Sequence, residues 1–292
     1  MKKLFAWVLV LALALSLAGC ASGDYKKAQE LFDQGDYEGA SRIYSSLGDY
    51  QDSAEKLKEC RYQQACAALE LGDYERAVLL FQQLGEYQDS QEKIRESQYR
   101  EAVALFDEGE YEVAQWRFEA LGDYEDSADR LARCRTELAL AALAGTWTGT
   151  VDAVQFVVAG APVMADYLKA APVAITLELT QEGEYTLTSD GTTMLPDFKQ
   201  AMHAYLVDLC EQEGITVEML EDTMKMTLDE YIDSYFDNAD LGELNESISG
   251  TYTASDGTIT FDPGQIGQEE GTWSGDTMTL EIDIGTVTLT RK

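Results

Sequence analysis

Three segments of equal length, residues 25–61, 62–98 and 99–135, align without a gap at a period of 37 residues. Tyr25/Tyr62/Tyr99, Ala28/Ala65/Ala102, Gly35/Gly72/Gly109 and Ala40/Ala77/Ala114 fall in register. So do Tyr44/Phe81/Phe118, Gly48/Gly85/Gly122 and the dipeptides Asp52-Ser53, Asp89-Ser90 and Asp126-Ser127. A fixed period of this size specifies stacked supersecondary units, because one such unit cannot bury its apolar face alone. Each unit reads as two helices. Asp52, Asp89 and Asp126 are expected N-caps, each with an acid three residues on, and the helix from Asp52 runs to Leu71, where Gly72 ends it. A shorter helix spans about Glu75 to Leu84. A closing helix runs from about Asp126 to Ala144.

At Gly145 the apolar period changes from helical to alternating. The expected strands are Gly145–Ala153, Val173–Thr180, Glu184–Ser189, Ser247–Ala254, Thr258–Asp262, Gly271–Ser274, Thr277–Asp283 and Thr286–Arg291. Glu182-Gly183, Asp256-Gly257 and Gly275-Asp276 suit tight hairpins. Strands of this length and pattern predict a small antiparallel barrel in meander order. Two insertions interrupt it, at about 154–171 and 195–244. The first is expected to be helical after Pro162, over Val163–Ala170. The second carries a capping box, Thr227 with Glu230, followed by Tyr231, Tyr235 and Phe236 on one face. The fold class is thus α then β, with a repeat region at 25–144 and a β-domain at 145–292.

The N-terminus reads as an address. Lys2 and Lys3 precede an apolar run from Leu4 to Leu17, shorter than the ~20 residues of a spanning helix. It ends Leu17-Ala18-Gly19-Cys20, which resembles the lipobox of bacterial lipoproteins. That resemblance implies a leader at 1–19, a diacylated Cys20, a tether at 20–24 and an extracytoplasmic location on the cell membrane. Extended, the four residues after Cys20 reach at most ~14 Å, which would keep the repeats near the bilayer and the β-domain beyond them.

The run Gly-Asp-Tyr-x-x-Ala-x-x-x-(Tyr/Phe) is similar to a tetratricopeptide repeat, although that family's period is 34. The likeness implies a surface lined by the first helices that engages partner proteins. The matching columns are Tyr25/Tyr62/Tyr99, Gln29/Cys66/Val103 and the acids Asp33/Glu70/Asp107. A groove with those acids would favour a basic partner, another envelope protein. The opening Gly145-Thr146-Trp147 is similar to the Gly-x-Trp at the start of lipocalins, and the strand order agrees. That resemblance implies a barrel interior lined by Leu177, Leu179, Tyr185, Leu187, Tyr252, Ile259, Phe261, Trp273, Leu280 and Leu289. Such an interior either holds a small apolar molecule or is filled by its own side chains.

Other chemistry is scarce. The net charge of −33 argues against nucleic acid, which needs basic patches. Once residues 1–19 are removed, residues 21–144 carry −13 and residues 145–292 carry −22. Anionic lipid repels such a chain, so anchoring falls to Cys20. Cys60 and Cys66 lie on one helix about 9 Å apart, beyond disulfide reach, and with Cys134 they read as small buried residues. The single histidine, His203, stands in a helical stretch with no motif around it. No nucleophile elbow, phosphate loop or His-Glu-x-x-His occurs, so neither catalysis nor a cofactor or metal is expected. Residues 237–242 brush against a calcium-loop pattern, but Ala239 and Leu241 hold places that need oxygen ligands. Two readings of function follow: a scaffold or adaptor acting through the repeats, or a carrier or sensor of a small apolar ligand in the β-domain.

Overall fold

In a computed structural model the described residues are 21–237, 244–262 and 270–292. Cys20 with the leader, and residues 238–242 of the calcium-like segment, lie outside them. The chain is an α-helical region followed by a closed antiparallel barrel, and it divides into two compact units between Cys134 and Arg135.

The first unit begins with α1 (21–33), so residues 21–24, expected as a tether, are already helical. They advance about 6 Å rather than ~14 Å. Then come α2 (Tyr37–Leu47), α3 (Ser53–Glu70), α4 (Tyr74–Leu84), α5 (Ser90–Asp107), α6 (Tyr111–Leu121) and α7 (Ser127–Leu143). The repeated alanines set the helix spacing: Ala28, Ala40, Ala65, Ala77, Ala102 and Ala114 are fully buried, and Tyr44, Phe81 and Phe118 fill the space between them. Glycines in the left-handed region end the short helices, with φ of 56° at Gly48, 62° at Gly85 and 61° at Gly122.

The aspartate columns do a different job from the one expected. Asp36 and Asp73, not Asp52 and Asp89, cap helices with their side chains, accepting from Gly39 N at 2.8 Å and Arg76 N at 3.3 Å. Asp52 and Asp89 make no side-chain cap. They accept instead from tyrosines 27 residues earlier: Tyr25 Oη donates to Asp52, Tyr62 Oη to Asp89 at 2.5 Å and Tyr99 Oη to Asp126. Asp126 is also gripped by Arg130 Nε at 2.9 Å and 3.0 Å. At these positions the carboxylate makes a charge-assisted bond to a side chain on another helix in place of the local cap.

The second unit takes in the C-terminal part of α7 and the barrel. Its strands are β1 (Gly145–Asp152), β2 (Pro172–Leu179), β3 (Glu184–Asp190), β4 (Ser247–Ser255), β5 (Thr258–Phe261), β6 (Glu270–Ser274), β7 (Thr277–Ile282) and β8 (Gly285–Arg291). Each pairs antiparallel with the next, and β1 closes on β8 through Trp147↔Arg291 and Gly149↔Leu289. The alternation read in the sequence becomes burial, as with Val173, Ile175, Leu177 and Leu179 inward on β2. Trp147 is fully buried, donates from Nε1 to Leu143 O at 2.9 Å, and carries the Arg291 guanidinium 4.7 Å over its ring. Arg291 also donates to the carbonyls of Ala142 and Ala144, which ties α7 to the last strand.

Both insertions leave the same end of the barrel, because β1 and β3 run in the same direction. The first corrects the sequence reading. Its helix α8 (Val154–Gly160) precedes Pro162, which opens only a single 3-10 turn at Pro162–Met164. Asp152 Oδ1 accepts from Val154 N at 3.1 Å and Ala171 N at 3.0 Å, so one carboxylate starts α8 and joins the insertion's two ends. The second insertion holds α9 (Leu195–Gln212), α10 (Val217–Met224) and α11 (Leu228–Phe236). The Thr227–Glu230 capping box forms as read. The face that α11 buries is Leu228 and Ile232, however, leaving Tyr231 and Tyr235 exposed.

Candidate functional site

The residues expected to line the barrel interior converge and touch one another. Tyr185 and Phe261 meet edge-on with ring centroids 5.0 Å apart, and Tyr252 lies 6.5 Å from Phe261. Leu177, Leu179, Leu187, Ile259, Leu280 and Leu289 are buried with them in one core, and Trp273 is half-buried against it. Two glycines make room: a Cβ at Gly271 would stand 2.3 Å from a Leu280 methyl, and one at Gly250 would stand 2.9 Å from the Tyr185 ring. Tyr252 Oη donates to Thr180 O at 2.7 Å, and burial pushes its pKa up to about 12. Tyr185 Oη and Trp273 Nε1 are buried without a hydrogen-bond partner among the described residues.

A cavity lies where the insertions meet, against the same core. Phe156, Val157, Gly160 and Ala161 of the α8 segment, Val163 and Met164 of the 3-10 turn, and Met194, Phe198, Met202 and Tyr205 at and along α9 form most of its wall. Tyr235 and Phe236 of α11, with Leu244, complete it. The cavity measures about 620 Å³, within the range of small-molecule sites. Five of these residues are aromatic, three are methionines and none is charged. Phe198 and Phe236 meet edge-on at 5.3 Å, and so do Tyr235 and Phe236 at 5.2 Å. Tyr205 packs at 5.6 Å on Tyr167, whose Oη donates to Asp208 Oδ2 at 3.0 Å and whose pKa that bond raises. Three wall residues stay open to solvent: Gly160, Val163 at 59% and Tyr235 at 63% exposure.

Sequence reasoning named none of this wall as a site. One signal was present: Phe198, Met202 and Tyr205 stand at i, i+4 and i+7 and so share one face of α9. Residues 156, 198 and 236 come together only through the barrel's topology, which puts both insertions at one end.

In the repeat unit, Asp33, Glu70 and Asp107 are all exposed. Asp107 borders a groove of about 270 Å³ with Tyr99, Val103, Arg100 and Arg130. The three expected columns therefore meet in the third repeat, but two guanidiniums share the space, and Arg100 reaches Glu70 at 3.5 Å. The tyrosines Tyr25, Tyr62 and Tyr99 spend their hydroxyls on the aspartates and their rings on edge contacts with Tyr44, Phe81 and Phe118. Tyr99 and Arg130 hold the Asp126 carboxyl below its usual range. His203 faces Asp229 at 3.8 Å on the helical insertion. Cys60, Cys134 and Cys210 are buried, whereas Cys66 is only half-buried, and burial pushes the Cys60 thiol up to about 11.

No protein-family model and no curated protein sequence matches this chain. Among the described residues no helix is long and apolar enough to cross a membrane.

Proposed function

We propose that this is a lipid-anchored extracytoplasmic lipoprotein whose β-domain captures a small apolar ligand in the pocket between its two helical insertions. The observation that carries the reading is a 620 Å³ cavity walled by aromatic and methionine side chains with no charge among them. Burying an apolar molecule there gains ~25 cal/mol per Å² removed from water, and methionines adapt to irregular shapes. The protein is thus a binder rather than a catalyst. Acyl chains on Cys20 supply the anchor, so Cys20→Ser is expected to release the protein from the membrane fraction; retention of that variant counts against the anchor.

The binding test uses residues 21–292 and the uncharged fluorophore N-phenyl-1-naphthylamine. Gly160 lines the pocket, and a Cβ there would meet nothing within 4 Å. Gly160→Trp is therefore expected to keep the thermal midpoint and weaken saturable probe binding at least ~10-fold, the loss of a few tens of Å² of apolar contact. Equal binding by both proteins contradicts the pocket.

A second reading, an adaptor acting through repeats that are tetratricopeptide-like, draws on a different face from the acid column. Arg42, Leu79 and Trp116 are equivalent positions, and Leu79 and Trp116 are 53% and 73% exposed. An exposed Trp is the residue most often found at the energetic centre of a protein interface.

A further inference from the structure

We propose that the pocket between the insertions selects an apolar cation, an alkyl- or arylammonium, over an apolar carboxylate; the proposal rests on the ligand-capture reading and adds the charge of the ligand to it. The wall offers hydrocarbon, sulfur, aromatic rings and the hydroxyls of Tyr205 and Tyr235, but neither an ammonium nor a guanidinium among the described residues. A carboxylate head placed there would find tyrosine hydroxyls but no cation to pair with, so its burial is costly. The two lysines closest in sequence to the wall are committed elsewhere: Lys199 Nζ to Asp233 Oδ1 at 2.7 Å, and Lys169 Nζ to Asp166 O at 2.6 Å.

Two independent features favour the opposite charge. Rings from Phe156, Phe198, Tyr205, Tyr235 and Phe236 converge on one space, and ring faces attract a cation within about 6 Å of the centroid. The segments that build the pocket, 153–171 and 191–237, also carry 12 acidic and three basic residues. Asp208 stands one helical turn beyond Tyr205 and is held by Tyr167. Such an excess raises the local concentration of cations and repels anions at low salt, an effect that salt weakens.

Three ligands with the same decyl chain separate the readings when titrated by calorimetry into residues 21–292, each below its micelle concentration: decyltrimethylammonium, decanol and undecanoate. The ammonium is expected to bind at least ~10-fold tighter than undecanoate at low ionic strength, with the ratio shrinking as salt is added. Phe236→Leu keeps the wall apolar but removes a ring, so it is expected to weaken the ammonium about two- to fivefold and leave decanol unchanged. Equal affinities for the three, or tighter undecanoate, overturn the cation proposal while leaving ligand capture standing. A Phe236→Leu loss that is the same for decanol and the ammonium also overturns it. No saturable binding of any of the three ends the ligand-capture reading itself.

Discussion

Trp147→Ala is expected to remove about 3–5 kcal/mol from the stability of the barrel unit, the usual cost of emptying a large buried aromatic site. Three losses combine there. The indole is fully buried at the start of β1. Its Nε1 gives Leu143 O a hydrogen bond, so the substitution also strands a buried carbonyl at the end of α7. Arg291 loses the ring beneath its guanidinium, and with it part of what holds the closing strand to β1. For a unit of this size the change corresponds to a fall of roughly 10 °C in the thermal midpoint, read by near-ultraviolet circular dichroism. Trp147→Phe keeps most of the apolar volume and is expected to fall less. A midpoint within about 2 °C of the parent protein in Trp147→Ala would show that the residue does not organise the barrel.

Phe81→Ala acts on the repeats with a similar size. Phe81 is fully buried in the middle repeat, packs edge-on against Tyr62 at 5.8 Å, and faces the fully buried Ala65 and Ala77. Those alanines bring the helices too close to collapse further, so the space left behind stays open and the cost is about 3–5 kcal/mol. In a linear array each repeat leans on its neighbours, so a defect in the middle one weakens coupling on both sides. The helical signal at 222 nm is expected to melt more than about 10 °C lower. The same substitution at an exposed position of the same helix, Leu79→Ala, is expected to move it little.

The architecture was legible because it is written in short-range periods. The 37-residue repeat located α3, α4 and α7 to within a residue or two, whereas α1 begins four residues ahead of Tyr25, inside the expected tether. The alternation of β2 and β7 and the turn pairs at 182–183, 256–257 and 275–276 located the strands. What stayed hidden depends on partners far along the chain. The Asp52, Asp89 and Asp126 column looked like helix caps, since an Asp at that place usually serves its own helix. Only the stacked fold shows a tyrosine 27 residues away taking each carboxylate. Pro162 looked like a helix start, but Asp152 had already started α8 ahead of it. The candidate pocket was illegible for the same reason: its wall joins residues about 40 apart in sequence, each unremarkable in its own helix, and no local pattern says that they face one space.

That pocket can be tested against the barrel interior in one experiment, because the methionines already sit in both places. Met164, Met194 and Met202 line the pocket between the insertions, whereas Met278 is fully buried inside the barrel. With methionine methyls labelled with carbon-13, decyltrimethylammonium can be titrated into residues 21–292 and followed by methyl NMR. Saturable shifts are expected at Met164, Met194 and Met202, with Met278 unmoved. Shifts at Met278 with the other three unmoved would place the ligand among Leu177, Tyr185 and Phe261 instead, and would contradict the proposed pocket.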